Sequence, residues 1–133
     1  MPRSNALITW GGWDGHEPEK VAHLFAGMLD SKGYTADIFN TLDCFNDFDA
    51  LCEYDIIIPI WTMSKIEKTQ AENVSEAVAR GTGLAGCHGG MCDAFRDSVL
   101  WQFMTGANWV AHPGGDGVSY TVNIIDRDHE LTE

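Results

Sequence analysis

Six residues near the middle of the chain, Asp55-Ile56-Ile57-Ile58-Pro59-Ile60, restrict the fold more than any others. After its acidic first position this run is apolar and dominated by β-branched isoleucine. A strand of that kind has no face to give to water, so it belongs in the centre of a parallel sheet covered on both sides. Parallel neighbours need long crossovers, and the flanking sequence offers helices to make them.

Ala6-Leu7-Ile8-Thr9-Trp10, stopped by Gly11-Gly12, reads as a first buried strand ending in a flexible loop. Pro18 suits the first turn of a helix in which Val21, Leu24, Phe25, Met28 and Leu29 form one apolar stripe, and Gly33 closes that helix as a left-handed cap. Tyr34 to Phe39 is a second strand near the sheet edge. Lys65 to Arg80 is helical, with Ala71, Val74, Ala77 and Val78 on one side and Gly81 after its end. Gly83 to Cys87 is a fourth strand, made of small residues because something packs close to it. Asp93 to Met104 forms another helix ended by Gly106, and Val118 to Ile125 alternates like a strand exposed on one face. Strands alternating with helices imply an α/β fold, a doubly wound and mostly parallel sheet with right-handed crossovers.

At 133 residues with no linker-like stretch, the chain is expected to form one domain, 1–133. Lys plus Arg number 8 against 20 Asp plus Glu, a net charge of −12 spread along the chain, which argues against nucleic acid and anionic membrane as partners. The four cysteines, Cys44, Cys52, Cys87 and Cys92, form no CxxC pair, so a reducing, cytoplasmic setting fits best. The apolar stretch after Met1-Pro2-Arg3-Ser4-Asn5 is too short for a signal peptide, and no segment is long enough to span a bilayer.

In an open α/β sheet, ligands bind outside the carboxyl ends of the strands. The residues that follow them here are Trp13, Asp14, His16 and Glu17 after the first strand, Trp61, Thr62 and Ser64 after the third, and His88, Cys92 and Asp93 after the fourth. In the flavodoxin-like order 2-1-3-4-5, the first and fourth strands end roughly 10 Å apart, so His16 and His88 are expected to face one pocket floored by Trp61.

Gly86-Cys87-His88-Gly89-Gly90 has the form of a nucleophile elbow, a sharp strand-to-helix turn that presents its central side chain at a helix N-terminus. The central residue is a histidine. Imidazole there suits acid–base chemistry, metal ligation or hydrogen-bond donation, and a helix end disfavours its protonated form. The plainer alternative is that the glycines only permit tight packing while His88 caps the helix. Cys87 is expected to be buried and inert, and Cys92, in the first turn of the next helix, has no dedicated base.

His16, His88, His112 and His129 supply enough imidazoles for a divalent metal such as zinc, with Asp14 or Asp116 behind them, although no pair shows close ligand spacing. Solvated or locally bonded loop histidines are the competing reading. Trp10, Trp13, Trp61 and Trp109 lie near strand ends, where indoles either stack on sugar rings or plug the end of the sheet. The candidate substrate contacts are Trp13, Trp61, Gly89, Gly90 and Asp93. Neither Gly11-Gly12 nor Gly114-Gly115-Asp116-Gly117 matches a nucleotide-binding fingerprint.

With Ile8-Thr9-Trp10-Gly11-Gly12 and His16, Tyr54-Asp55 leading into a strand that ends at Trp61, Gly83 to Gly90, and Asp128-His129-Glu130-Leu131-Thr132, the chain resembles the ThuA-like (trehalose utilisation) family. That family is a branch of the class I glutamine amidotransferase-like superfamily. The resemblance implies a flavodoxin-like sheet and a role in the catabolism of trehalose or related disaccharides, acting on oxidised (keto) sugars. Amidotransferases of the superfamily carry cysteine at the elbow centre; with His88 there, glutaminase activity is not expected. Family members usually continue past this point, so the domain is expected to be incomplete at its C-terminal end. The first reading is an enzyme of sugar metabolism that takes a small-molecule carbohydrate, with His88 catalytic, His16 and His112 its partners and Trp61 lining the pocket. A non-catalytic sugar-binding or regulatory module and a metal-dependent hydrolase are the alternatives, and a homo-oligomer is left open.

Overall fold

The computed structural model describes residues 4–132. Strand β1 (Ser4–Gly12) leads through helix α1 (Pro18–Ser31) to β2 (Tyr34–Phe39), and a short helix α2 (Phe48–Cys52) precedes β3 (Ile56–Thr62). Helix α3 (Lys68–Ala79) then returns the chain to β4 (Gly83–Leu84), and α4 (Val99–Thr105) is the last helix among the described residues. The four strands form one parallel sheet in the order β2-β1-β3-β4, the flavodoxin-like order as far as it extends.

The isoleucine run lies where its composition requires. β3 pairs with β1 from Ala6↔Ile56 to Gly12↔Thr62, and successive side chains go to opposite faces. Ile8, Ile58 and Ile60 meet Ala22 of α1 on one face. Leu7 and Ile57 meet Leu51 of α2, Val74 and Ala77 of α3, and Trp101 of α4 on the other. Two layers of helix thus cover a sheet with no wet face.

Several elements differ from the sequence expectation. On α1 the buried side is set by Pro18 and Ala22, with Val21, Phe25 and Leu29 half-buried, whereas Leu24 and Met28 are 63% and 56% exposed. The apolar stripe is therefore wider than the surface the sheet offers it. β4 stops at Leu84 rather than Cys87, because the chain leaves the ladder after Ala85 N–H donates to the Ile57 carbonyl (3.1 Å). α4 begins at Val99, not Asp93: the Ser98 hydroxyl caps it by accepting from Trp101 N–H (3.3 Å). Val118 to Ile125 forms no strand, since the two-residue β4 leaves no ladder to extend; Val122 is 73% and Ile125 98% exposed. A 3-10 turn at Leu42–Phe45 and helix α2 were not anticipated, although their caps stand in the sequence: Thr41 Oγ1 accepts from Asp43 N–H (3.2 Å) and Asp47 Oδ1 from Ala50 N–H (3.0 Å).

Candidate functional site

At the carboxyl ends of β1 and β3 the chain turns sharply, and the loops that leave them meet. A 3-10 turn over Asp14–His16 brings the His16 imidazole over the end of β3, where its Nδ1 hydrogen-bonds the buried Thr62 hydroxyl (2.9 Å). Beyond β4 a second 3-10 turn, His88–Gly90, carries His88 to the same place. The rings of His16 and His88 lie 5.2 Å apart, edge to face.

The elbow has a strained apex, with His88 at φ 40°, in the left-handed region that costs a side-chain-bearing residue energy. Its two following glycines are needed for proximity. A Cβ on Gly90 would stand 3.0 Å from Ile60 Cα, and one on Gly89 would stand 2.6 Å from His16 Cε1. The turn therefore rests directly on the backbone of β3 and on the His16 ring. No α-helix follows it: α4 starts eleven residues after His88, so the apex does not stand at the helix N-terminus that the sequence suggested. Cys87 is exposed rather than buried, and Cys92 is half-buried in a turn rather than in a helix.

A third wall comes from the loop after α4. Trp109 N–H donates to the Cys92 carbonyl (2.7 Å), which sets the indole edge-on to His88, ring centres 4.9 Å apart. His112 follows, 5.4 Å from Trp109 and 6.1 Å from His88. On the far side Trp13, 51% exposed, stands edge-to-face with His16 at 4.7 Å. Together these rings enclose a hollow of about 350 Å³ that Met63, Asp93, Arg96 and Asp116 also line. A second hollow of about 170 Å³, bounded by Val21, Ile60, Thr62, Cys87, Gly89 and Gly90, shares His16 and His88 with it. A larger one, about 440 Å³ between α3 and α4, contains no imidazole, and chemistry rather than size places the site.

Of the residues singled out in the sequence, His16, His88, His112, Trp13, Gly89, Gly90 and Asp93 are brought to this crevice. Trp61 is not. Strand alternation sends it to the opposite face of β3 from Ile60 and Thr62, where it lies over Gly11 and 6.4 Å from Phe95. His129 is also elsewhere, in an exposed turn where its Nδ1 accepts from Leu131 N–H (3.1 Å). Trp10 packs among the α1-facing core. Among the described residues no three His, Cys, Asp or Glu side chains are grouped to hold a metal ion, so the four-histidine ligand set does not form in this arrangement. Sequence reasoning missed Arg96, whose Nε donates to the buried Asp93 carboxylate, and gave Trp109 no role of its own. Asp93 raises the Arg96 pKa through that hydrogen bond. Spacing of three residues between Asp93 and Arg96 was the available signal.

Fold and site define a class: a doubly wound α/β protein with its crevice at the carboxyl edge of a parallel sheet, and imidazole at the elbow apex. The profile of the ThuA family, described as trehalose utilisation, matches residues 5–133, and the chain belongs to that family. Among solved structures, one described as a ThuA-like protein from Bacteroides uniformis ATCC 8492 is similar in fold, with a TM-score of 0.57 and 23% sequence identity. The match covers 68% of this chain and 38% of that one, so the matched part spans well under half the length of this relative. Comparison with the curated proteins gives no match. No helix among the described residues is long and apolar enough to cross a membrane.

Proposed function

We propose that the chain takes a carbohydrate, a disaccharide or its keto derivative, into the crevice between His16, His88 and His112, and acts on it by general acid–base chemistry with His88 as the proton-transferring group. The observation that carries this reading is the convergence of three imidazoles and two indoles on one hollow of about 350 Å³. Indole faces suit the apolar faces of sugar rings. Imidazole is the side chain whose ordinary titration lies nearest neutrality, which is what proton transfer at that pH requires. Thr62 holds His16 in one orientation, and the strained apex holds His88 forward. Both rings line both hollows, and the two differ in fastening: the His16 Nδ1 is engaged by the Thr62 hydroxyl, which suits it to support, while His88 at the elbow apex meets the ligand.

The test compares the wild type with His88→Asn, chosen because asparagine tolerates the left-handed backbone at this position. Binding of trehalose and of a keto-disaccharide is followed by tryptophan fluorescence, and turnover by proton NMR of the sugar. Turnover is expected to fall by about 10²- to 10⁴-fold with binding changed only severalfold. Binding without turnover in the wild type would make the chain a sugar-binding module, and absence of binding of either sugar would overturn the reading of a neutral disaccharide as the ligand.

A further inference from the structure

Among the described residues, Arg96 is the only Lys or Arg side chain bordering either hollow of the crevice, in a chain whose net charge is −12. Its Nε is committed to Asp93 Oδ1, and that carboxylate is 5% exposed against 45% for the arginine. Asp93 is itself fixed by the backbone. Met63 N–H donates to its carbonyl (2.8 Å), Phe95 N–H donates to the Met63 carbonyl (3.1 Å), and Met63 and Ala94 form an isolated parallel bridge. Met63 and Phe95 hold φ values of 59° and 52°, a conformation that persists only where the surroundings enforce it. The guanidinium is thus pinned along one edge, while its Nη1 and Nη2 groups have no protein partner among the described residues.

A planar fork held by one edge, with its terminal N–H groups left over, suits two oxygens that share a negative charge. The rest of the crevice is short of competing acceptors. Asp93 is occupied by Arg96, Asp116 is exposed, and the remaining ionisable lining is the three imidazoles and the Cys87 thiol. We propose that Arg96 recognises an anionic oxygen group, a carboxylate or a phosphate, carried by the carbohydrate that the crevice takes, with Asp93 as its positioning residue. This rests on the carbohydrate reading above and narrows it to acidic or phosphorylated sugars.

The experiment titrates wild type, Arg96→Lys and Arg96→Gln with gluconate, glucose 6-phosphate, glucose, trehalose and inorganic phosphate, following tryptophan fluorescence at low and high salt. The wild type is expected to prefer gluconate or glucose 6-phosphate over glucose by about tenfold or more, and which of the two it prefers identifies the anion. Salt should weaken that preference. Arg96→Gln should abolish it, and Arg96→Lys, which keeps the charge but loses the fork, should lose about tenfold. Equal binding of glucose or trehalose, or a preference unchanged in Arg96→Gln, overturns the inference and leaves the carbohydrate reading standing. Inorganic phosphate binding as tightly as glucose 6-phosphate supports the anion role of Arg96 and overturns the carbohydrate reading; no binding of any probe overturns both. Thermal melting of each variant, at a side chain that is 45% exposed, verifies that the fold is kept.

Discussion

Replacing Gly89 by alanine tests whether the elbow rests on the His16 ring. Gly89 is buried, and its φ lies outside the left-handed range, so alanine meets no backbone penalty there. The added Cβ would stand 2.6 Å from His16 Cε1, 2.7 Å from Nδ1 and 3.0 Å from Thr62 Oγ1. Comfortable contact begins near 3.5 Å, so the ring must withdraw by about 1 Å. That movement breaks the bond to Thr62, a loss of about 1 kcal/mol, and forces overpacking that typically costs about 1–3 kcal/mol. Alanine's smaller unfolded-state entropy returns about 0.4–1 kcal/mol. A net destabilisation of about 1–3 kcal/mol is expected, with a lower midpoint in urea and an unchanged slope. Gly27→Ala is the control. It lies inside α1 with nothing within 4 Å of the new Cβ, and should stabilise by about 0.5–1 kcal/mol. If Gly27→Ala behaves so and Gly89→Ala is equally stable or more stable than wild type, the ring contact is not present in solution.

Trp101 is 1% exposed, packs edge-on to Phe95 at 4.8 Å and donates its Nε1–H to the Met91 carbonyl (3.0 Å). Trp101→Ala should cost about 3–5 kcal/mol in urea unfolding, and Trp101→Phe, which keeps a ring but orphans that carbonyl, about 1–3 kcal/mol. Cys52 and Cys87 are exposed, whereas burial pushes the Cys44 thiol up to about 11. A disulfide reagent at pH 8 should therefore modify Cys87 and Cys52 at least about tenfold faster than Cys44, as peptide mapping would read. Tyr54 is pushed up to about 12 by burial and by its hydrogen bond to Asp37 Oδ2 (2.8 Å). Both groups keep their protons longer when folded, so the unfolded chain ionises first. Stability they contribute is present below pH 9 and is lost as pH rises through about 11 for Cys44 and about 12 for Tyr54. Tyr54→Phe should flatten the upper part of that decline in an alkaline denaturation series.

The sheet was legible because isoleucine at 56–58 and 60 leaves one solution, and because Pro18 and Gly33 punctuate α1. The crevice was legible through topology, since the order β2-β1-β3-β4 brings the loops after β1 and β4 to one end of β3. What failed depended on face and register. Trp61 was placed by its position after a hydrophobic run, but period-2 alternation turns it from Thr62 and the imidazoles. Val118 to Ile125 has the composition of a strand without a neighbouring edge to complete it. Arg96 escaped notice because its place in the crevice is set by a carboxylate buried by tertiary contacts, which local sequence does not announce.

The early end of β4 also shapes how the protein breathes. On its β1 side β3 is zipped along its whole length, whereas on the other side strand pairing holds only Ile56 and Ile57. Residues 86–92, with His88 at their apex, are slung between that short ladder and the bridge from Met63 to Ala94. Such a span opens by releasing a few bonds at its fastenings and leaves the central pairing intact. Its amides should exchange with solvent hydrogen through local excursions, while those of Leu7, Ile8 and Ile58 wait for global unfolding.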